Sequence, residues 1–232
     1  MSSPHEPDRR PIAARGWRLS QRLAEKCVAW RFSANGISLA GMVCGLLAGA
    51  AFAATPHLAA HGLERLAFVL AAALIQLRLL ANMLDGMVAL ASGQASPVGE
   101  LYNEIPDRVS DAATLIGAGY ALGGDIELGY LAACGALFTA YVRAAGKAAG
   151  ASNDFRGPMA KQQRMFLMTV AALYVALTPA AWQPLVCPTR GWGVIALALL
   201  LSAILGLATA VRRLIGIAGQ LKRSRSSSNR EA

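Results

Sequence analysis

Apolar runs of roughly twenty residues recur along this chain, and that length is what an α-helix needs to cross the hydrocarbon core of a bilayer. They lie at about 34–54, 65–90, 99–122, 128–146, 164–182 and 192–215. Only 15% of the 232 residues are charged and 55% are hydrophobic, whereas a soluble domain is about a quarter charged. The expected fold is therefore an all-α integral membrane protein. Six transmembrane helices occupy 32–216, a cytoplasmic segment precedes them at 1–31, and a basic disordered tail follows at 217–232. Within the first segment, residues 15–30 set Trp17, Leu19, Leu23, Val28 and Trp30 among arginines and a lysine. That pattern suits an N-terminal amphipathic helix lying in the interfacial headgroup layer.

The formal net charge of +9 has a membrane explanation that needs no nucleic acid. Arginine and lysine gather in the N-terminal segment, in the connector after the fourth run and in the tail, and only Arg65 and Arg190 fall in the opposite set of loops. By the positive-inside rule both termini and the loop before Gly99 face the cytoplasm. The first thirty or so residues are too polar for a cleavable signal peptide. Cys27, Cys44, Cys134 and Cys187 lack the paired spacing of a zinc or disulfide framework. Gly41, Gly45 and Gly49 recur every fourth residue, which suits close helix packing.

The second and third runs are joined by NMLDGMVALASGQASPVGELYNEIPD, from Asn82 to Asp107. Ionisable groups at membrane depth are costly and mark sites of binding or reaction. Residues three and four apart share a helix face, so Asn82 and Asp85 on one helix end, and Asn103, Asp107 and Asp111 on the next, can aim five oxygen-bearing side chains at one point. Such donors suit a hard cation, Mg2+ or Mn2+. Glu104 is a further candidate ligand that would restore the charge missing at Asn103. The competing reading is an inert polar cluster, its carboxylates neutralised by Arg78 or Arg108.

The frame Asn82-x-x-Asp85-Gly86-x-x-Ala89-Leu90, eight residues, then Gly99-x-x-x-Asn103-x-x-x-Asp107, resembles the signature of the CDP-alcohol phosphatidyltransferase family, D-x-x-D-G-x-x-A-R-x8-G-x-x-x-D-x-x-x-D. Asn82, Asn103 and Leu90 replace two aspartates and the arginine. The resemblance implies six helices, a homodimer and an active site at the cytoplasmic surface, here of a bacterial inner membrane. It also implies a metal-bound CDP-linked donor, CDP-diacylglycerol, and an alcohol acceptor. By position Asp85 is a metal ligand and Asp107 the group that deprotonates the alcohol. Asp85, Gly86, Ala89 and Gly99 would bind the CDP moiety. Arg143 resembles the family's span-four arginine and Lys161 its connector lysine, which hold an acceptor's phosphate; Lys147, Arg156 and Arg164 lie nearby. The function implied is phosphatidyl transfer with release of CMP in phospholipid biosynthesis. The alternatives are an inactive relative that binds CDP-lipid or a partner enzyme, and a small transporter.

Overall fold

The computed structural model describes residues 18–92, 97–152 and 156–231. Seven α-helices follow one another there: α1 (Arg18–Ala29), α2 (Ala34–Ala59), α3 (Glu64–Ala91), α4 (Pro97–Gly119), α5 (Ile126–Ala148), α6 (Lys161–Leu177) and α7 (Val194–Glu231). Trp17, which the amphipathic expectation includes, lies outside the described residues, as does the side chain of Leu19.

Among the described residues four helical stretches are long and apolar enough to cross a membrane: Ala34–Ala59, Glu64–Ala91, Ile126–Ala148 and Val194–Arg223. The chain is an integral membrane protein on this ground, but the structure does not by itself bear out six spans. The two helices left out have physical reasons to fall short. The first four turns of α4 carry Glu100, Glu104, Asp107, Arg108 and Asp111. Helix α6 has 17 residues and stops at Leu177, because Pro179 disfavours helical backbone in the residue before it. The expected fifth run, to 182, is therefore shortened.

The tail also differs from expectation, since α7 continues through residues 217–231. Ile217 and Leu221 pack with Val142 and Ala210, so this stretch begins with an anchored turn. Helix α1 turns Leu23, Ala24, Cys27 and Val28 onto Leu84 and Val88 near the end of α3. Trp30 and Phe32, which follow it, are exposed.

Small residues set the helix spacing. A Cβ on Gly41 would lie 3.0 Å from that of Ala81 on α3, and a Cβ on Gly45 only 2.3 Å from that of Ser110 on α4. The glycine stripe of α2 thus draws α3 and α4 together along one face, as the sequence implied. Thr114 reinforces the contact by donating to the Gly45 carbonyl at 3.2 Å. On the other flank, α5 packs on α4 and α7, and α6 packs on α3 and α7. The Gln76 amide donates to Thr169 Oγ1 at 2.8 Å, tying α3 to α6. The shared core is rich in alanine, with Phe52, Phe68, Ile75, Leu115, Met165, Met168, Ile195 and Leu199 as its large members.

Candidate active site

Helix α3 presents Arg78, Asn82 and Asp85 on one face, and α4 presents Asn103, Asp107, Ser110 and Asp111. The glycine contacts of α2 hold these faces together. Asn82 Nδ2 donates to Asp107 Oδ1, in a short bond, and lies 3.5 Å from Asn103 Oδ1. The expected convergence of Asn82, Asn103 and Asp107 is thus present in the geometry.

One turn deeper, Arg78 is only 1% exposed. Its Nε donates to Ser110 Oγ at 2.6 Å and its Nη2 to the Asp107 carbonyl at 3.1 Å. Nη2 also pairs closely with Asp111 and reaches Asp107 Oδ1 at 3.4 Å. Burying a guanidinium is costly unless charge and hydrogen bonds compensate it; these contacts do so for Nε and Nη2, while Nη1 is buried without a hydrogen bond. Asp111 is therefore engaged by Arg78 beneath the asparagine–aspartate pair.

Asp85 sits apart from that ion pair. It is 2% exposed, and its Oδ2 accepts from Ser38 Oγ on α2 at 2.6 Å. Its other oxygen, Oδ1, is buried with no side-chain donor. The sequence places Ser38 at the helix opening Ser33-Ala34-Asn35-Gly36-Ile37-Ser38, which resembles the family's, but gives it no role at the site, although it falls on the same helical stripe as Gly41, Gly45 and Gly49. Gly86 and Ala89, the expected nucleotide contacts, follow Asp85 on half-buried turns, and Leu90 is exposed. Gly99 lies in the first turn of α4.

Glu104 does not join the cluster. It bonds Arg108 and Arg143, the latter at 2.5 Å, and is 40% exposed. Successive helical residues point about 100° apart, so a side chain at 104 diverges from one at 103. Its expected role as the missing ligand beside Asn103 is not what the geometry offers.

Lys161 comes to the cluster instead. Its Nζ donates to Asn82 Oδ1 at 2.7 Å and pairs closely with Asp107 Oδ2. The connector before it is fastened to α7. Gly157, at φ +133°, packs on Thr209, where a Cβ would come within 2.3 Å of Thr209 Cγ2. The Met159 N–H donates to Thr209 Oγ1 at 2.9 Å, and Arg213 Nε donates to the Arg156 carbonyl at 3.0 Å. Of the other cations singled out, Lys147 and Arg156 are exposed. Arg164 is 2% exposed, with Nε and Nη1 buried and making no hydrogen bond.

A divalent cation meets a mixed reception. Among the described residues no group of three or more histidine, cysteine, aspartate or glutamate side chains is arranged to hold a metal. The buried free oxygen of Asp85 is nonetheless a hard donor that suits one.

A helical membrane protein with an oxygen-rich cluster where two helix ends meet is the class these features define. No model of a described protein family matches the chain. Individual proteins do match. It is 32% identical over 155 residues to the archaetidylinositol phosphate synthase of Aeropyrum pernix, covering 65% of this chain and 70% of that one. The enzyme of the same name from Pyrococcus horikoshii is 29% identical over 111 residues, 47% of this chain and 58% of its own length, so the match spans less than two thirds of that relative. The inner membrane protein YnbA of Escherichia coli is 26% identical over 194 residues, covering 80% of this chain and 90% of its own. Among solved structures, the phosphatidylinositol phosphate synthase PgsA1 of Mycobacterium tuberculosis with CDP-DAG bound shares the fold, at a TM-score of 0.68 and 17% identity over 87% of this chain and 94% of its own. The chain belongs to the CDP-alcohol phosphatidyltransferase family, whose members are membrane transferases of phospholipid synthesis.

Proposed function

We propose that the chain transfers the phosphatidyl group of a CDP-linked lipid, CDP-diacylglycerol, to an alcohol and releases CMP. The observation that carries this reading is the meeting of Asn82, Asn103 and Asp107 beside buried Asp85, on the family's own spacing. In the reaction the alcohol oxygen bonds to the lipid-side phosphorus, the bond from that phosphorus to CMP breaks, and Asp107 takes the alcohol's proton. A divalent cation, Mg2+ or Mn2+, would be held by Asp85 with oxygens from Asn103 and Asp107, where it would offset charge on the donor's pyrophosphate, while Asn82, whose one oxygen is held by Lys161, would order Asp107 rather than ligate. The PgsA1 structure obtained with manganese and citrate supports a metal of this kind. Gly86, Ala89 and Gly99 let the nucleotide approach backbone.

The acceptor in this reading is a phosphorylated polyol of the inositol phosphate kind. The names of the archaeal relatives and of PgsA1 support it. So do the unbonded donors of buried Arg164, one turn beyond Lys161. Arg143 would join them by releasing Glu104.

The reading includes six spans, with α4 and α6 crossing beside the four apolar helices because both are packed into the same bundle. It also includes a cytoplasmic site and cytoplasmic termini in an inner membrane, with α1 lying on the membrane surface. The Escherichia coli relative and the side-to-side imbalance of basic residues support this.

The test is CMP release from CDP-diacylglycerol by the purified protein with Mg2+ or Mn2+. The acceptors are inositol phosphate, glycerol phosphate, inositol, serine, choline and ethanolamine, each offered separately. Metal-dependent release with inositol phosphate is the expected result, and release with an unphosphorylated alcohol alone would move the acceptor assignment. The two asparagines favour one second reading, a relative that holds CDP-lipid without turning it over. Nucleotide binding with no release for any acceptor would select it.

A further inference from the structure

Lys161, Asn82 and Asp107 form a closed ring. The Lys161 ammonium donates to Asn82 Oδ1 and pairs with Asp107 Oδ2, while Asn82 Nδ2 donates to Asp107 Oδ1. Each contact fixes the next. The amide of Asn82 has one oxygen, and the lysine takes it; its nitrogen, which cannot ligate a cation, points at Asp107 and Asn103. An aspartate at 82 has no proton to donate, so it would set two carboxylates against each other at this distance. The two unusual features, a neutral residue at 82 and a lysine in the cluster, therefore explain one another.

Resting on the transferase reading above, we propose that Lys161 takes the place of a second metal ion. The site holds one divalent cation, bound through Asp85, and a fixed ammonium on the Asn82–Asp107 side.

The connector is built to keep that ammonium in place. Gly157 leaves no room between connector and α7, Thr209 accepts from Met159, and Arg213 donates to the Arg156 carbonyl. Lys161 follows at once as the first residue of α6. A cation delivered by covalent structure needs no uptake from solution.

Formal charge agrees. Asp85 and Asp107 carry two negative charges, and Lys161 cancels one. One divalent ion then leaves a single positive charge facing the donor's pyrophosphate, whereas two ions would leave three beside an ammonium with no carboxylate to spare. Asp111 cannot supply the balance, because Arg78 already holds it. Within the cluster, with Asp111 paired to Arg78, Asp85 is the acid left with a buried oxygen that no side chain bonds, and this is where the single ion belongs.

The experiment is a Mn2+ titration of the full-length protein in lipid nanodiscs, with and without CDP, read by electron paramagnetic resonance and by bound metal per chain. The expected wild-type result is one Mn2+ per chain with the spectrum of an isolated ion. Lys161→Met combined with Asn82→Asp and Asn103→Asp should bind two, with the spectral broadening of a coupled pair. Two coupled ions in the wild type would overturn the proposal and leave the transferase reading standing. A triple variant that still binds CDP but holds a single ion would also overturn it. No bound Mn2+ in wild-type protein that binds CDP would defeat both this proposal and the metal-dependent mechanism beneath it.

Discussion

Gly49 of α2 and Gly117 of α4 meet backbone to backbone: a Cβ on Gly117 would lie 2.1 Å from the Gly49 carbonyl oxygen. No real methyl occupies such a position, so the two helices keep this spacing only while Gly117 stays glycine. The contact lies along the same face that places Ser110 and Asp107 against Arg78. Site geometry at one end of α4 thus depends on a residue ten positions away that touches no substrate.

Gly117→Ala should therefore destabilise the protein by about 1–3 kcal/mol, the usual cost of forcing a methyl into a packed contact. Gly135→Ala is the internal comparison, because the nearest neighbour of its new Cβ is 3.8 Å away. Thermal unfolding in detergent should separate the two clearly. Equal midpoints would mean that α2 and α4 are not held at the observed distance.

Arg78 and Asp111 are both nearly inaccessible, so removing either partner leaves a charge stranded in the bundle. Arg78→Met should cost about 3–5 kcal/mol, the scale seen when one member of a buried pair is deleted. Arg78→Met with Asp111→Asn should recover part of that loss, since the second change removes the stranded charge. A double-mutant cycle on unfolding free energy checks this. A coupling near zero would show that the pair contributes nothing jointly.

The helical bundle was legible because apolar length and the glycine stripe are local signals, and both report on packing. Four spans stand on those signals alone. Helix α4 was harder to delimit, since the acids that make its first turns look unlike a membrane span are the same ones that build the site. The pairing of Asn82 with Asp107 followed from helical spacing, as did the shared face of Asp111. The resemblance alone gives Lys161 a role, as a ligand for acceptor phosphate, and nothing in its neighbours' spacing says that the connector folds back onto α7. That fold depends on Thr209 and Arg213, some fifty residues further on, and on Gly157 at a positive φ. Glu104 turns away for a simpler reason: Arg108 lies one turn on along α4 and Arg143 faces it from α5, a neighbour that spacing on α4 does not show.

Thr209→Val keeps the shape of the side chain but removes the acceptor for the Met159 N–H, a buried bond of 2.9 Å. An orphaned buried donor costs about 1–3 kcal/mol, here confined to the connector. Amide exchange at Met159 should accelerate about ten- to a hundredfold, with little change in the protection of α3. An unchanged Met159 rate would mean that the connector is held by something other than Thr209.

Asp107→Asn separates chemistry from architecture. The substitution keeps the shape and one carbonyl oxygen, so helix α4 should stay in place, but it removes the group assigned to take the acceptor's proton. General-base catalysis contributes roughly 10²–10⁴-fold, and CMP release should fall by that amount. Loss of the close pair with Lys161 would also loosen the ring, so binding of CDP-diacylglycerol must be measured on the same preparation. The expected pattern is near-normal donor binding with turnover lost. Asp111→Asn should show the reverse emphasis, because Asp111 is engaged by buried Arg78. That variant should lose stability while its surviving folded fraction turns over. If Asp107→Asn retains turnover within tenfold of wild type, the alcohol is deprotonated elsewhere and Asp107 serves only to hold Lys161 and Asn82.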